Sequence, residues 1–216
     1  MTGRIEGDRL ACERGGRRVF EGLSFALESG AALVLHGPNG SGKSSLLRLV
    51  AGLAEPAAGT LTRNGVALAD DLDGHKADLR YVGHALALKP MLTLADNLTI
   101  WAELYGVSDP AGAVRRALAT VRLEPQADLA ARVLSSGQQR RAALARLFLA
   151  PVSLWLLDEP TVGLDTAARA LLAGLMADHL RAGGMILTAT HQDLGLPEAA
   201  RLDLGQFAPQ YWDEEL

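Results

Sequence analysis

The chain has 216 residues, of which 49% are hydrophobic and 21% are charged, and its formal net charge is -4. This composition excludes a disordered or fibrous protein and favours one compact domain with a sizeable core. The chain has 21 basic and 25 acidic residues, so it lacks the surplus of basic residues that binds nucleic acid. We therefore expect no nucleic-acid partner. The single cysteine, Cys12, can form neither an intramolecular disulfide nor a cysteine zinc cluster.

Neither an export signal nor a membrane span is predicted. The start of the chain carries Glu6 and Asp8 where a signal peptide would need an apolar stretch. The longest apolar stretch, 147–157, is interrupted by Pro151 and Ser153 and is shorter than the ~20 residues that a spanning helix needs. We therefore expect a chain that does not cross a bilayer by itself.

The sequence of the first part of the chain predicts two strands followed by a helix. Residues 24–28 alternate in polarity and end in the Ser29–Gly30 turn. Residues 31–36 are apolar at nearly every position, as in a strand buried on both faces of a parallel sheet. A glycine-rich loop follows, and residues 44–51 predict a helix that ends at Gly52.

The middle of the chain predicts helices. Residues 94–105 have apolar side chains at helical spacing, with Thr93 as the expected cap. A second helix is predicted from 108 to about 121, since Pro110 suits a first turn, and a third over 138–150.

The last third returns to an alternation of strand and helix, with strands predicted over 154–157 and 185–190 and a helix over 166–181. The acidic tail, 211–216, is predicted to be loose. We expect a single α/β domain, 1–216. Its core should comprise about 1–83 and 152–216, with a helical subdomain, about 84–151, inserted between these two parts.

A phosphate-binding loop is predicted between the buried strand and the first helix. Residues 37–44 match the pattern G-x-x-x-x-G-K-[ST] at every fixed position. In this pattern backbone N–H groups and a helix N-terminus bind phosphate, the lysine reaches the β- and γ-phosphates, and the last hydroxyl ligates Mg²⁺. An ordinary glycine turn is the alternative interpretation. The predicted nucleotide-binding residues are Gly37, Pro38, Asn39, Gly40, Ser41, Gly42, Lys43, Ser44 and Ser45.

Two carboxylates, Asp158 and Glu159, follow the apolar strand 154–157, at the sheet edge where α/β folds bind ligands. We predict that Asp158 joins Ser44 in holding Mg²⁺ and that Glu159 acts as the general base for the attacking water. Helix capping is the alternative role for such a pair. His191 follows the strand 185–190 at the same edge, and its position predicts that it contacts the γ-phosphate. A purely structural role is the alternative for a lone histidine.

The segment 134–138, Leu-Ser-Ser-Gly-Gln, resembles the L-S-G-G-Q signature of ATP-binding cassette (ABC) proteins. The motifs also occur in that family's order along the whole chain, which is the phosphate loop, the signature, the acidic strand, the loop with Asp165 and finally His191. The resemblance implies a P-loop NTPase of the ABC type, with a RecA-like parallel sheet, an antiparallel β edge and an inserted helical subdomain. It also implies ATP hydrolysis.

In that family two copies enclose two ATP molecules between them. The resemblance implies that the signature residues of one copy meet the γ-phosphate held by the other, and that Asp165 lies in the loop joining the two sites. The chain is thus expected to work as a homodimer of ATPase subunits. The implied signature contacts are Ser135, Ser136, Gly137 and Gln138.

Three positions differ from the family pattern. The aromatic residue that stacks on adenine is expected near Arg14, whose planar guanidinium could replace it, although Phe20 is close in sequence. No glutamine occurs around 83–85, where the family has one that links Mg²⁺ to the membrane partner; His84 either replaces it or the contact is lost. Ser136 stands in place of the signature's first glycine.

Four stretches, 12–20, 83–84, 136–141 and 190–192, resemble more narrowly the ATP-binding subunits of the haem exporter of bacterial cytochrome c maturation. That resemblance implies integral membrane partners, a peripheral location on the cytoplasmic face of the inner membrane, and ATP hydrolysis that drives haem delivery or release of a haem chaperone. The helix 94–105, with Trp101 or Tyr105 exposed, would line the groove for a partner helix, unless these aromatic residues only pack the helical subdomain.

Three other functions compete with this one. The nearest is the ATPase of another small exporter, for lipids, drugs or lipoproteins. A soluble ABC ATPase that acts on ribosomes or DNA would be expected to have a second cassette or a basic face, and the sequence shows neither. A P-loop kinase would leave the signature and His191 unexplained.

Overall fold

The computed structural model describes residues 3–209, and the tail 211–216 lies outside them. These residues form two sheets and a group of helices. The strands are β1 Arg4–Arg14, β2 Arg17–Glu28, β3 Ala32–His36, β4 Ala58–Arg63, β5 Val66–Ala67, β6 Leu79–Val82, β7 Leu154–Asp158, β8 Met185–Ala189 and β9 Ala200–Asp203. The α-helices are α1 Lys43–Val50, α2 Leu72–Ala77, α3 Leu94–Leu104, α4 Pro110–Thr120, α5 Ser136–Ala145 and α6 Thr166–Arg181.

Five strands form a parallel sheet in the order β6-β7-β8-β3-β9. Every residue of β7 and β8 is buried, which explains why their sequences are apolar without alternation. Because the strands run in one direction, the residues that follow β3, β6, β7 and β8 gather at one edge, here called the carboxyl edge.

The other four strands form an antiparallel sheet in the order β2-β1-β4-β5. β1 and β2 form a hairpin in which Arg14 pairs with Arg17. Gly15 and Gly16 make the turn, both at positive φ, which glycine adopts without steric cost. This hairpin leaves Arg14 exposed at the end of β1, while Cys12 is buried in the core between the two sheets. The predicted α/β fold with an antiparallel edge is confirmed.

Helices α3, α4 and α5 pack around a core of their own, in which Leu94, Leu98 and Leu123 are completely buried. The predicted Thr93 cap is confirmed, since its hydroxyl accepts the N–H of Asp96. Pro110 lies in the first turn of α4 as predicted, and the Asp109 carboxylate caps that helix by accepting the N–H of Gly112. The third helix differs from the expected 138–150.

The third predicted helix, α5, begins two residues earlier than expected. Its α-helical part ends at Ala145 and is followed by a 3-10 turn, Arg146–Phe148. Pro151 disfavours helical geometry in the residue before it, so the end of the helix tightens into the shorter turn. No helix within 3–209 is long and apolar enough to cross a membrane.

Trp101 and Tyr105 are half-buried rather than fully exposed. The guanidinium of Arg146 lies 4.7 Å from the ring centre of Trp101, and that of Arg80 lies 3.7 Å from that of Tyr105. Burial raises the pKa of the Tyr105 hydroxyl. These cation–π contacts join α3 to β6 and to the turn after α5.

Candidate functional site

The loop 37–42 connects the end of β3 to the start of α1 and has the geometry of a phosphate loop. Gly37, Gly40 and Gly42 have φ angles of 131°, 87° and 96°, which favour glycine. A side chain at Gly42 would lie 2.7 Å from the side chains of Val19 and Phe20. The Lys43 ammonium donates to the carbonyls of Gly37 at 2.7 Å and Pro38 at 3.0 Å, so its charge lies across the loop.

The predicted acidic residues meet at the carboxyl edge. Asp158 ends β7 and is 5% exposed. Glu159 follows it at φ 49°, and its N–H donates to the carbonyl of Ala189 at 2.8 Å. The Glu159 carboxylate lies 3.8 Å from Nε2 of His191, so the two residues predicted to act on the γ-phosphate end are neighbours.

A cavity of about 340 Å³ separates the phosphate loop from these carboxylates. It brings together most of the predicted nucleotide residues. Those that line it are Arg14, Val19, Asn39, Gly40, Gly42, Lys43, Ser44, Ser45, His84, Asp158 and Glu159. The oxygen atoms of Ser44 and Asp158, a hydroxyl and a carboxylate, are ligands that Mg²⁺ prefers, and this pair could hold it.

A larger groove, of about 750 Å³, adjoins this cavity and extends towards the helical part of the molecule. It shares Arg14, Ser44, Ser45, His84 and Asp158 with the cavity and reaches Trp101 and Arg146. His84 therefore lies between the nucleotide cavity and α3.

Of the two candidates for the adenine contact, only Arg14 lines the cavity. Phe20 is completely buried in the main core, beneath Gly42. Arg14 is exposed at the hairpin end beside the cavity. The geometry thus favours Arg14.

The signature residues cap α5. The Ser135 hydroxyl accepts the N–H of Gln138, and the Gln138 side-chain oxygen accepts the N–H of Ser135, which together form a capping box. A side chain at Gly137 would come within 2.9 Å of the Gly163 carbonyl, so glycine permits this close approach. Asp165 caps α6 and accepts the N–H of Ala168 at 2.7 Å.

None of the described residues that line the 340 Å³ cavity belongs to 135–138 or is Asp165. The structure therefore brings the phosphate loop, the carboxylates and His191 together in one chain, and it leaves Ser135 and Ser136 exposed elsewhere.

One residue at the carboxyl edge was not predicted from the sequence. It is the buried Arg140 of α5, whose guanidinium donates to the carbonyls of Asp158 and Glu159. Backbone carbonyls leave no trace in residue types, so no sequence pattern indicated this contact.

Comparison with known proteins agrees with this site. The profile of the ABC transporter family matches residues 20–162, which include the phosphate loop, the signature and both carboxylates. The chain belongs to the ABC transporter family, as an ATP-binding subunit with ATPase activity.

Its relatives narrow the class. The chain is 53% identical over 203 residues to the cytochrome c biogenesis ATP-binding export protein CcmA of Rhodospirillum rubrum, covering 94% of this chain and 86% of that protein. It is 53% identical over 201 residues to CcmA of Paramagnetospirillum magneticum, covering 92% and 93%. Within the ABC family the chain is therefore a member of the CcmA group.

Solved structures show the same fold. An ABC transporter ATP-binding protein from Pyrococcus furiosus superposes with a TM-score of 0.82 at 23% identity, over 95% of this chain and all of that one. An ATP-binding subunit of an ABC transporter superposes with a TM-score of 0.82 at 28% identity, over 93% and 86%.

Proposed function

We propose that this ATPase drives the export step of cytochrome c biogenesis, where its hydrolysis of ATP serves haem delivery or the release of a haem chaperone. The observation that carries the proposal is the 53% identity to proteins named for that process, over 94% of the chain. The motif residues alone support an ABC ATPase, and the relatives supply the biological process.

The proposed hydrolysis uses the residues around the 340 Å³ cavity. The loop N–H groups and Lys43 bind the phosphates of ATP, and Arg14 stacks on the adenine. Mg²⁺, held by Ser44 and Asp158, would offset phosphate charge. The Glu159 carboxylate accepts a proton as water attacks the γ-phosphorus, the bond to the β-phosphate oxygen breaks, and ADP and phosphate result.

His191 is proposed to contact the γ-phosphate beside Glu159. Its Nε2 lies 3.8 Å from the Glu159 carboxylate, which supports a shared task for the two side chains. The side chain of Glu159 is 21% exposed, so water reaches it while most of the group is shielded.

A second copy is proposed to complete each site. The exposed N-terminus of α5, with Ser135, Ser136, Gly137 and Gln138, would meet the γ-phosphate held by the partner copy, and Asp165 would lie between the two sites. The capping box supports this role for Ser135, because it uses the hydroxyl oxygen as an acceptor and leaves the O–H as a donor.

The membrane partners are proposed to dock at the 750 Å³ groove, where the helical subdomain, about 84–151, adjoins the core. His84 lines both this groove and the nucleotide cavity, which supports it as the link that replaces the absent glutamine. The chain would then be a peripheral protein on the cytoplasmic face of the inner membrane.

Co-purification from the native host tests this function. The tagged chain is expressed at low level, membranes are solubilised gently, and the integral membrane proteins that accompany it are identified. We expect haem-handling subunits of cytochrome c maturation. An unrelated permease would indicate another exporter, and ribosomes or an absence of membrane proteins would indicate the soluble class; each would contradict the proposal.

A further inference from the structure

Arg140 is a buried cation at the carboxyl edge of the parallel sheet. It belongs to α5, three residues after Gly137 of the signature, and it is 4% exposed. Within residues 3–209, its guanidinium donates to backbone carbonyls alone. The distances are 2.8 Å to Asp158, 3.3 Å to Pro160 and 3.3 Å to Gly83, and a further bond is made to Glu159.

A buried guanidinium is costly unless its N–H groups find acceptors, and Arg140 finds them in two loops at once. One follows Asp158 at the end of β7 and begins with Glu159. The other follows β6 and leads to His84. Burial lowers the pKa of Arg140, while the charges of Asp158 and Glu159 act in the opposite direction. Because arginine is not deprotonated in proteins, the guanidinium carries its charge and joins the signature helix to both loops.

The contact with Glu159 has a specific consequence, because Glu159 has the left-handed φ of 49°. A non-glycine residue keeps this conformation only where its surroundings fix it. Here the N–H of Glu159 is bound to the carbonyl of Ala189, and its own carbonyl is bound to Arg140. Both peptide groups that flank the Cα atom are therefore fixed, and with them the direction of the Cα–Cβ bond from which the side chain extends.

We propose that Arg140 is a positioning residue for hydrolysis, which holds the Glu159 backbone in the conformation that directs its carboxylate to the attacking water. This inference rests on the proposed role of Glu159 as general base. Arg140 does not touch the nucleotide in this account, so it acts on the rate of hydrolysis and leaves ATP binding intact.

The chain offers a matched control in the next residue. Arg141 is also on α5, but its guanidinium donates to the carbonyls of Val121 and Arg122, at 3.0 and 3.1 Å, in the helical part of the molecule. A substitution of Arg141 therefore removes an arginine and two carbonyl contacts from the same helix, but it leaves the contacts to the loop after β7 in place.

The experiment measures ATP hydrolysis by the full-length chain co-purified with its membrane subunits. Arg140→Gln is expected to lower kcat about 10- to 100-fold, the size of effect that a small misplacement of a reacting group produces, with KM for ATP changed less than about twofold. Arg140→Lys keeps the charge but loses the planar set of N–H donors, so its kcat should lie between that of Arg140→Gln and that of the natural protein. Arg141→Gln should retain the normal rate.

A double-mutant cycle separates positioning from a general loss of structure. If Arg140 acts through Glu159, then Arg140→Gln should lower the single-turnover rate less than about twofold further in a chain that already carries Glu159→Gln. The inference is overturned if the loss is equally large in both backgrounds, or if Arg141→Gln is as slow as Arg140→Gln. Where Arg140→Gln does not fold, Arg140→Lys is carried through the same cycle.

Failure of the proposed function would look different. A normal rate for Glu159→Gln would overturn the role of Glu159 and this inference with it. A slow Glu159→Gln beside a normal Arg140→Gln would overturn only the inference.

Discussion

At the scale of single residues, the ring of His75 lies where α1, α2 and β4 meet, and its surroundings favour the neutral imidazole. Its Nε2–H donates to the carbonyl of Val50 at 2.6 Å, and its Nδ1, 3.3 Å from the Arg63 guanidinium, can only accept. Burial lowers the pKa of His75, and the charge of Arg63 acts in the same direction. The hydrogen bond to Val50 and the charges of Asp78 and Asp71 act against them, but the pKa remains below its ordinary value. A second proton on the ring would face the Arg63 cation.

This arrangement predicts a loss of stability in mild acid. Because the pKa of His75 is lower in the folded chain than its ordinary value of about 6.5, the unfolded chain takes up the proton first. The contribution of His75 to the free energy of unfolding is therefore complete above about pH 6.5 and declines below it. Burial also lowers the pKa of His36 and His179, which adds to the effect.

Urea unfolding at about pH 8 and about pH 5.5 measures the decline. The natural chain should lose stability on acidification, and His75→Gln should lose less between the two pH values, although it is less stable than the natural chain at the higher one. An equal pH dependence in both proteins would contradict the role given to His75.

At the scale of helices and strands, α3 and α5 have N-terminal caps with the same hydrogen bond, but only the cap of α5 is proposed to bind ATP as well. Thr93 and Ser135 both accept the backbone N–H three residues later, at 3.0 and 3.3 Å. Only Ser135 belongs to the signature that is proposed to meet ATP on a second copy.

Ser135→Ala and Thr93→Ala should each cost about 1 kcal/mol of stability, the usual cost of removing a hydroxyl cap. Only Ser135→Ala should also lower the ATPase rate, by about tenfold or more, because a hydrogen bond to a charged group is lost. Melting curves and steady-state hydrolysis measure the two effects. Equal ATPase rates in the two variants would remove Ser135 from the proposed nucleotide contacts.

The elements that the sequence predicted well are those that carry a strong local signal. The buried strands β3, β7 and β8 are continuous apolar runs, and α3, α4 and α6 have clear caps. The sequence did not predict the long strand β1, Arg4–Arg14, and it did not predict several short elements. Leu72–Ala77 has six residues and Leu79–Val82 has four, too few to show a period, and the latter is a strand because it pairs with β7.

The candidate site divides in the same way. Side chains whose chemistry requires a residue type, such as Lys43, Asp158 and Glu159, stand out in the sequence, and the structure gathers them at one edge. The contact of Arg140 and the left-handed backbone of Glu159 could not be predicted from the sequence, because both depend on backbone carbonyl groups, which every residue has. The roles of Ser135 and Asp165 across two copies stay predictions.

At the scale of the whole molecule, the chain separates the parts that an ABC ATPase must combine. The phosphate loop and carboxylates enclose one cavity, while the signature residues at the start of α5 do not line it. The groove towards Trp101 adjoins the cavity through His84. In the proposed assembly, a second copy and the membrane partners connect ATP hydrolysis to export.

The most direct test of this account replaces the gene in the native host and measures haem bound covalently in its c-type cytochromes. The natural chain and Glu198→Gln, a matched change at an exposed glutamate, should support normal levels. Glu159→Gln should abolish them while the protein remains on the membrane in normal amount, because ATP is bound but hydrolysed too slowly. Normal c-type cytochromes in the Glu159→Gln strain would contradict the account.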